Sequence, residues 1–214
     1  IDKNTLVVVT SVSGNTIETL TTLESAHKED CKVIAFSSGG MIESFCMKNN
    51  VEFRKFPQIH SPRASFPSYV YSILKTLNSI IPITKQDITN SLEQLELTSK
   101  KILSSNLDDT NPSLDLANWI AGTPVIYYPH GLETVAIRFK NSLQENAKTH
   151  AIAENIVESS HNGIVSWERP SSMIPIMIEG RDDHVKTKER WKILREYFEV
   201  NNIKYREIQT IDGN

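Results

Sequence analysis

The chain holds only two cysteines in 214 residues, Cys31 and Cys46, and no Cys-x-x-Cys spacing. That excludes a disulfide framework and a cysteine-based metal knuckle. Two isolated thiols fit buried small side chains in a reducing compartment. Charge of one sign is missing too. The formal net charge is −3, so there is no basic footprint for nucleic acid. Aromatic residues make up 7% of the chain, too few for a single-strand stacking platform. No apolar run approaches the roughly 20 residues that cross a bilayer, and no signal-peptide pattern opens at Ile1. His130 and His150 have no partners at metal-ligand spacing, so no metal site is expected. These absences leave a soluble cytoplasmic protein without nucleic-acid or membrane partners. Because the chain opens on Ile1 and not on Met, it is treated as a piece of a longer one.

What is present alternates between two patterns. Leu6–Thr10 is a β-branched run without polar alternation, the signature of a parallel strand buried on both faces. Helical spacing follows over 16–28, a strand over 33–36, a short helix over 41–48, a strand over 51–56 and a helix over 67–77. Pro67 sits in the first turn of that last helix, where its missing N–H costs nothing. Residues 81–87 are a boundary: Pro82 interrupts, and Thr84 can cap a polar amphipathic helix over 85–104 with Ile88, Leu92, Leu95 and Leu103 near one face. A short helix near Pro112 opens a second series. It continues with a strand over 124–128, a long helix over 133–150, a strand over 173–178, a helix over 185–200 and a strand over 204–210. Pro175 argues that its strand is short or near an edge. Strands alternating with helices predict α/β architecture, two doubly wound three-layer αβα subdomains of the flavodoxin-like kind. The boundaries predicted are 1–82, and 83–214 with the linker helix.

Three segments carry candidate chemistry. Thr10 to Thr19 lies between a strand and a helix, and places Ser11, Ser13, Asn15 and Thr16 around Gly14. Free N–H groups and the positive end of a helix dipole bind anions there, and open α/β sheets bind ligands at the carboxyl ends of their strands. The same residue types also serve as ordinary helix caps. No Gly-Lys-Ser/Thr follows, so a phosphomonoester suits the loop better than a nucleotide triphosphate. Ser38-Gly39-Gly40 is read as plain chain reversal. Arg63, in the segment before the Pro67 helix, can clamp an anion or balance a developing oxyanion, though a lone loop arginine is more often a surface residue. Glu145 and His161 are sixteen positions apart. Each alone has a duller role, as a solvated helix residue and a turn residue. Val135, Phe139, Leu143 and Ala147 are expected on the buried side of the Glu145 helix. Arg181-Asp182-Asp183-His184 is expected to cap the following helix through Asp182 or Asp183. Trp167 and Trp191 are expected to pack.

Together these segments resemble a known family. Ser13-Gly14-Asn15-Thr16-Ile17-Glu18-Thr19 is similar to the Ser-Gly-Asn-Thr-x-Glu-Thr signature of sugar isomerase (SIS) domains. Pro62-Arg63-Ala64, Gln144-Glu145-Asn146-Ala147-Lys148 and His161-Asn162-Gly163-Ile164-Val165-Ser166-Trp167 resemble, in order, segments of the bifunctional phosphoglucose/phosphomannose isomerases. Val12 and Gln144 depart from the residues common there. The resemblance implies SIS-like subdomains, Glu145 as catalytic base, His161 for ring opening, Arg63 at the active site, and a phosphate loop formed by Ser11, Ser13, Asn15 and Thr16. It implies a phosphorylated hexose substrate of glycolysis and gluconeogenesis, no cofactor, and a homodimer in which the histidine enters the neighbour's site. It also implies an upstream Gly-rich segment and a C-terminal catalytic lysine that have no counterpart in these residues. Two other functions fit the same resemblance: a non-catalytic sugar-phosphate sensor, and the isomerase half of an amidotransferase.

Overall fold

A computed structural model describes residues 1–210. They divide into two compact units, Ile1–Gln94 and a second from Leu95 onward. Each is a parallel sheet flanked by helices.

The first unit runs β1 (Leu6–Thr10), α1 (Ile17–Lys28), β2 (Lys32–Ser37), α2 (Gly40–Asn49), β3 (Glu52–Lys55), a 3-10 turn at Pro62–Ser65, and α3 (Phe66–Leu77). The strands lie in the order β1-β2-β3, with Val7 opposite Val33 and Val9 opposite Ala35. Alternate strand positions share a face. Val9 and Ala35 accordingly pack with Leu20 and Leu23 of α1 and with Ile42 and Cys46 of α2. Burial raises the Cys46 thiol pKa, while Cys31, expected to be buried, is half-exposed just before β2. The expectation that β1 is buried on both faces also fails. Leu6 and Val8 are 37% and 39% exposed, and among the described residues β1 pairs with a strand on one side only.

α4 (Lys85–Lys101) opens on a reciprocal cap, as Thr84 predicted. The Asp87 amide donates to Thr84 Oγ1 at 3.1 Å, and the Thr84 amide donates to Asp87 Oδ2 at 2.8 Å. The Thr84 hydroxyl, and after it the Thr84 amide, both donate to Asp87 Oδ2 and hold its carboxyl below its usual range. The apolar stripe is less buried than expected: Ile88 is half-buried, Leu92 and Leu95 are exposed, and Leu103 lies beyond the helix end.

The second unit contains α5 (Pro112–Trp119), β4 (Thr123–Tyr128), α6 (Glu133–Ser142), β5 (Ile152–Asn155), α7 (Ile156–Ser159), a 3-10 segment at Gly163–Glu168, β6 (Met173–Glu179), α8 (Val185–Val200) and β7 (Arg206–Gln209). Its sheet is parallel throughout, in the order β5-β4-β6-β7. β4 is buried on both faces. Val125 and Tyr127 pack with Ile156, Trp191, Leu194 and Phe198, and Ile126 and Tyr128 pack with Leu132 and Ala136. Helices therefore cover both sides of this sheet, giving the three predicted layers.

Three local expectations need correction. The helix expected over 133–150 stops at Ser142 and continues as a single π-helical turn, Leu143–Ala147, closed by Lys148 at φ 57°. The short strand β5 (Ile152–Asn155) then occupies residues for which no element was predicted. Phe139 and Leu143 pack against the core as expected, but Val135 is 49% exposed, with Ala136 buried beside it, and Ala147, at the irregular end, is exposed. Pro175 sits near an edge as expected: β6 lies next to the edge strand β7, and Pro175 precedes their first pair at Ile176. Neither Asp182 nor Asp183 is the N-cap of α8. His184 is, and its Nδ1 accepts from the Lys186 amide. Asp183 is buried and joins β6 to α8 instead: its Oδ2 accepts from the Gly180 amide at 3.1 Å and from Trp191 Nε1 at 2.8 Å.

Candidate active site

In the first unit the strands are parallel, so the segments leaving β1, β2 and β3 emerge at one edge of the sheet. They are 11–16, 38–39 and 56–65. The first two interlock. Ser38 donates through both its amide (3.0 Å) and its hydroxyl (2.6 Å) to the Val12 carbonyl. The Ile42 amide donates to the Gly14 carbonyl at 3.0 Å, and the Met41 amide to Asn15 Oδ1 at 3.0 Å. Gly14 and Gly40 have φ of 69° and 76°, in the region open to glycine. A Cβ on Gly14 would fall 1.8 Å from the Gly39 carbonyl oxygen. Ser38-Gly39-Gly40 is therefore not plain chain reversal: it is the second wall of the loop.

The four predicted phosphate-binding residues share this loop with different surroundings. Ser11 is buried, its Oγ accepting from the Gly14 amide at 3.1 Å and lying 2.9 Å from Thr16 Oγ1. Ser13 and Thr16 are exposed. Thr16 is the N-cap of α1, yet its side chain makes no cap hydrogen bond, being turned to Ser11. The positive end of a 12-residue helix thus opens on the loop without a side-chain cap. Asn15 is committed to α2 and acts as a brace. Arg63 lies on the 3-10 turn and is exposed. The turn is held from within by the Ser65 hydroxyl, which donates to the Ser61 carbonyl at 2.9 Å. Gln58 of the same segment meets the Ser38 hydroxyl at 3.4 Å.

In the second unit Glu145 occupies the π turn, exposed, ahead of β5. Such turns inside helices recur at functional sites. His161 follows α7, beyond the far end of β5. Its amide donates to the Glu158 carbonyl at 3.0 Å, and its exposed ring makes no hydrogen bond or ion pair among the described residues. Asn162 Nδ2 donates to Glu158 Oε1 at 2.7 Å. Among the described residues no cluster of three His, Cys, Asp or Glu side chains could hold a metal ion, and no helix is long and apolar enough to cross a membrane.

The family "Bacterial phospho-glucose isomerase C-terminal SIS domain" matches residues 109–214. The crystal structure of tagatose-6-phosphate ketose/aldose isomerase from Escherichia coli superposes with a TM-score of 0.69 at 14% identity, over 98% of this chain and 57% of that one. The fold is that of the SIS-domain, phosphosugar-isomerase superfamily. Among curated SIS relatives, a bifunctional phosphoglucose/phosphomannose isomerase from Caldicellulosiruptor bescii is 29% identical over 92% of this chain and 60% of its own length. A D-glucosamine-6-phosphate 4-epimerase from Sulfolobus acidocaldarius is 29% identical over 83% of this chain and 56% of its own. The chain thus spans less than two thirds of the relatives it matches.

Proposed function

We propose that this SIS chain is the substrate-binding body of an aldose–ketose isomerase that interconverts glucose 6-phosphate and fructose 6-phosphate, and mannose 6-phosphate as well. The observation that carries the proposal is the π turn at Glu145, a backbone irregularity at the residue whose motif marks the base. The phosphate binds the loop of Ser11, Ser13, Asn15 and Thr16, where the unblocked start of α1 adds its dipole. A carboxylate at Glu145 takes the proton from one carbon of the open sugar and returns it to the neighbour through a cis-enediol. His161 moves protons between the ring oxygen and the anomeric hydroxyl during ring opening. Arg63 balances the oxyanion of the enediolate. This chemistry calls for neither a metal nor a redox cofactor. A symmetric dimer, as the family resemblance implies, in which each copy lends its histidine to the other completes the site.

Two assays test this on the full-length protein. Turnover of fructose 6-phosphate and of mannose 6-phosphate, each coupled to glucose 6-phosphate dehydrogenase, is expected with both sugars and in the presence of chelator. The mannose arm is run without added mannose isomerase. A glucosamine 6-phosphate arm reads 4-epimerisation, the activity for which the Sulfolobus relative is named; turnover there alone would replace the proposal. Phosphosugar binding without turnover of any of the three would make the protein a sensor. Ser13→Ala with Thr16→Ala is expected to weaken every phosphosugar about tenfold or more, the loss of two hydrogen bonds to a charged group. Unchanged affinity would move the phosphate site elsewhere.

A further inference from the structure

Trp167 closes the 3-10 segment that begins two residues after His161, and packing alone does not account for it. Its ring is buried, edge-on to Phe198 at 5.5 Å between centroids. Its Nε1 donates to the Tyr127 hydroxyl at 2.8 Å, across 40 residues of sequence. A buried indole N–H needs such a partner, and here the partner belongs to β4, the strand buried on both faces. Tyr127 is 2% exposed. Burial, and after it the nearby Glu154 carboxylate, pushes the phenol pKa up to about 12 against the opposing effect of the indole bond. The hydroxyl therefore keeps its proton across neutral pH. Glu154 stands opposite Tyr127 in the β4–β5 register, and it also meets the turn: a Cβ on Gly163 would fall 2.7 Å from Glu154 Oε2. The segment after His161 is thus tied to the sheet at Trp167, and Gly163, where a side chain would meet Glu154, lets it pass close to β5. Before it, α7 fixes the chain through the two bonds to Glu158. His161 is held between anchors while its own ring stays unbonded.

Building on the isomerase assignment above, we infer that Tyr127 and Trp167 are positioning residues for His161, and that their buried hydrogen bond sets where the imidazole is presented for sugar ring opening. Neither touches substrate. Their effect reaches the chemistry through the 3-10 segment.

The test uses the full-length protein. Tyr127→Phe deletes one oxygen and Trp167→Phe keeps an aromatic ring. Each is expected to lower kcat for fructose 6-phosphate about tenfold with KM within about twofold, the size of effect that a displacement well under 1 Å produces. The Tyr127→Phe/Trp167→Phe pair should lose no more than either alone, since both remove the same bond. In a Glu145→Gln background, where isomerisation is off, anomerisation of glucose 6-phosphate reads His161 alone, and Tyr127→Phe should slow it by the same factor. A structural role only would scale both rates with the folded fraction measured by circular dichroism and leave the folded enzyme at wild-type kcat; that result overturns the inference. A wild-type protein that neither isomerises nor anomerises would instead sink the isomerase assignment. Positioning is then judged by amide hydrogen exchange: Tyr127→Phe should release the His161 and Asn162 amides while α8 stays protected, and unchanged exchange at both would overturn it.

Discussion

Replacing Gly14 by alanine tests the interlocked loops of the first unit most severely. The residue sits at φ 69°, which costs a residue with a Cβ about 1–2 kcal/mol. The new Cβ would lie 1.8 Å from the Gly39 oxygen and 2.8 Å from its carbonyl carbon. Both are backbone atoms, so no rotamer change relieves the contact. Shifting the chain would strain the Ile42–Gly14 and Ser38–Val12 bonds, and overpacking of this kind costs about 1–3 kcal/mol more. The two contributions sum to about 2–5 kcal/mol. All three tryptophans, Trp119, Trp167 and Trp191, belong to the second unit, so fluorescence in urea reports that unit and serves as an internal control. Amide hydrogen exchange in α1 and α2 reports the first. Gly14→Ala should cut protection in α1 and α2 by 2–5 kcal/mol, about 30-fold at the least, leave the tryptophan transition in place, and weaken phosphosugar binding. A change under about 0.5 kcal/mol in α1 and α2, with affinity intact, would mean that the loops do not interlock as described.

Asp183 and Glu179 support two further predictions. Asp183→Ala leaves the Gly180 amide and the Trp191 indole without their buried acceptor, and should cost about 2–4 kcal/mol in urea unfolding followed by tryptophan fluorescence; a loss below about 1 kcal/mol would contradict that role. Glu179 is buried at the end of β6, where Arg195 joins it to Glu207. Burial raises its carboxyl pKa above 4.5, outweighing the Arg195 guanidinium that lowers it. A carboxyl with a raised pKa in the folded state favours folding fully below about pH 4.5, and that contribution fades as pH rises through the folded value. Relative to Glu179→Gln, the wild type should lose stability between pH 4.5 and 7 in urea titrations, and parallel curves for the two proteins would refute it.

Much of this was legible in the chain because the signals are local. The β-branched run at Leu6–Thr10 and the apolar stretch at Pro124–Tyr128 mark strands. Thr84 and Pro112 mark helix starts; the cap before Pro112 is Asn111, unread in the sequence, whose Oδ1 accepts from the Ser113 and Leu114 amides. Trp191, Leu194 and Phe198 turn inward as their spacing predicted. What escaped depends on contacts between distant residues. Ile152-Ala153-Glu154-Asn155 has too little apolar character to read as a strand, and it becomes one by pairing with β4. The π turn follows helical residues with no breaker to announce it, and it moves Ala147 out of the buried stripe. The second wall of the Ser11–Thr16 loop, Ser38 to Gly40, comes from the end of another strand. The Tyr127–Trp167 bond joins a strand to a segment after the next helix, and no local pattern couples the two. The candidate site residues stand in motifs that are local, while the contacts that support them are not.

Glu145 as the base is the central claim, and solvent-deuterium exchange tests it most directly. Full-length protein is incubated with glucose 6-phosphate in deuterated buffer, and deuterium at C2 is followed by NMR. Wild-type protein should incorporate it as the enediol reprotonates. Glu145→Gln, which keeps the shape of the side chain and removes its basicity, should bind the sugar phosphate with affinity within about twofold of wild type while exchange falls at least about a hundredfold, the span of a general base. Exchange that persists in Glu145→Gln at a rate near wild type would show that another group takes the proton.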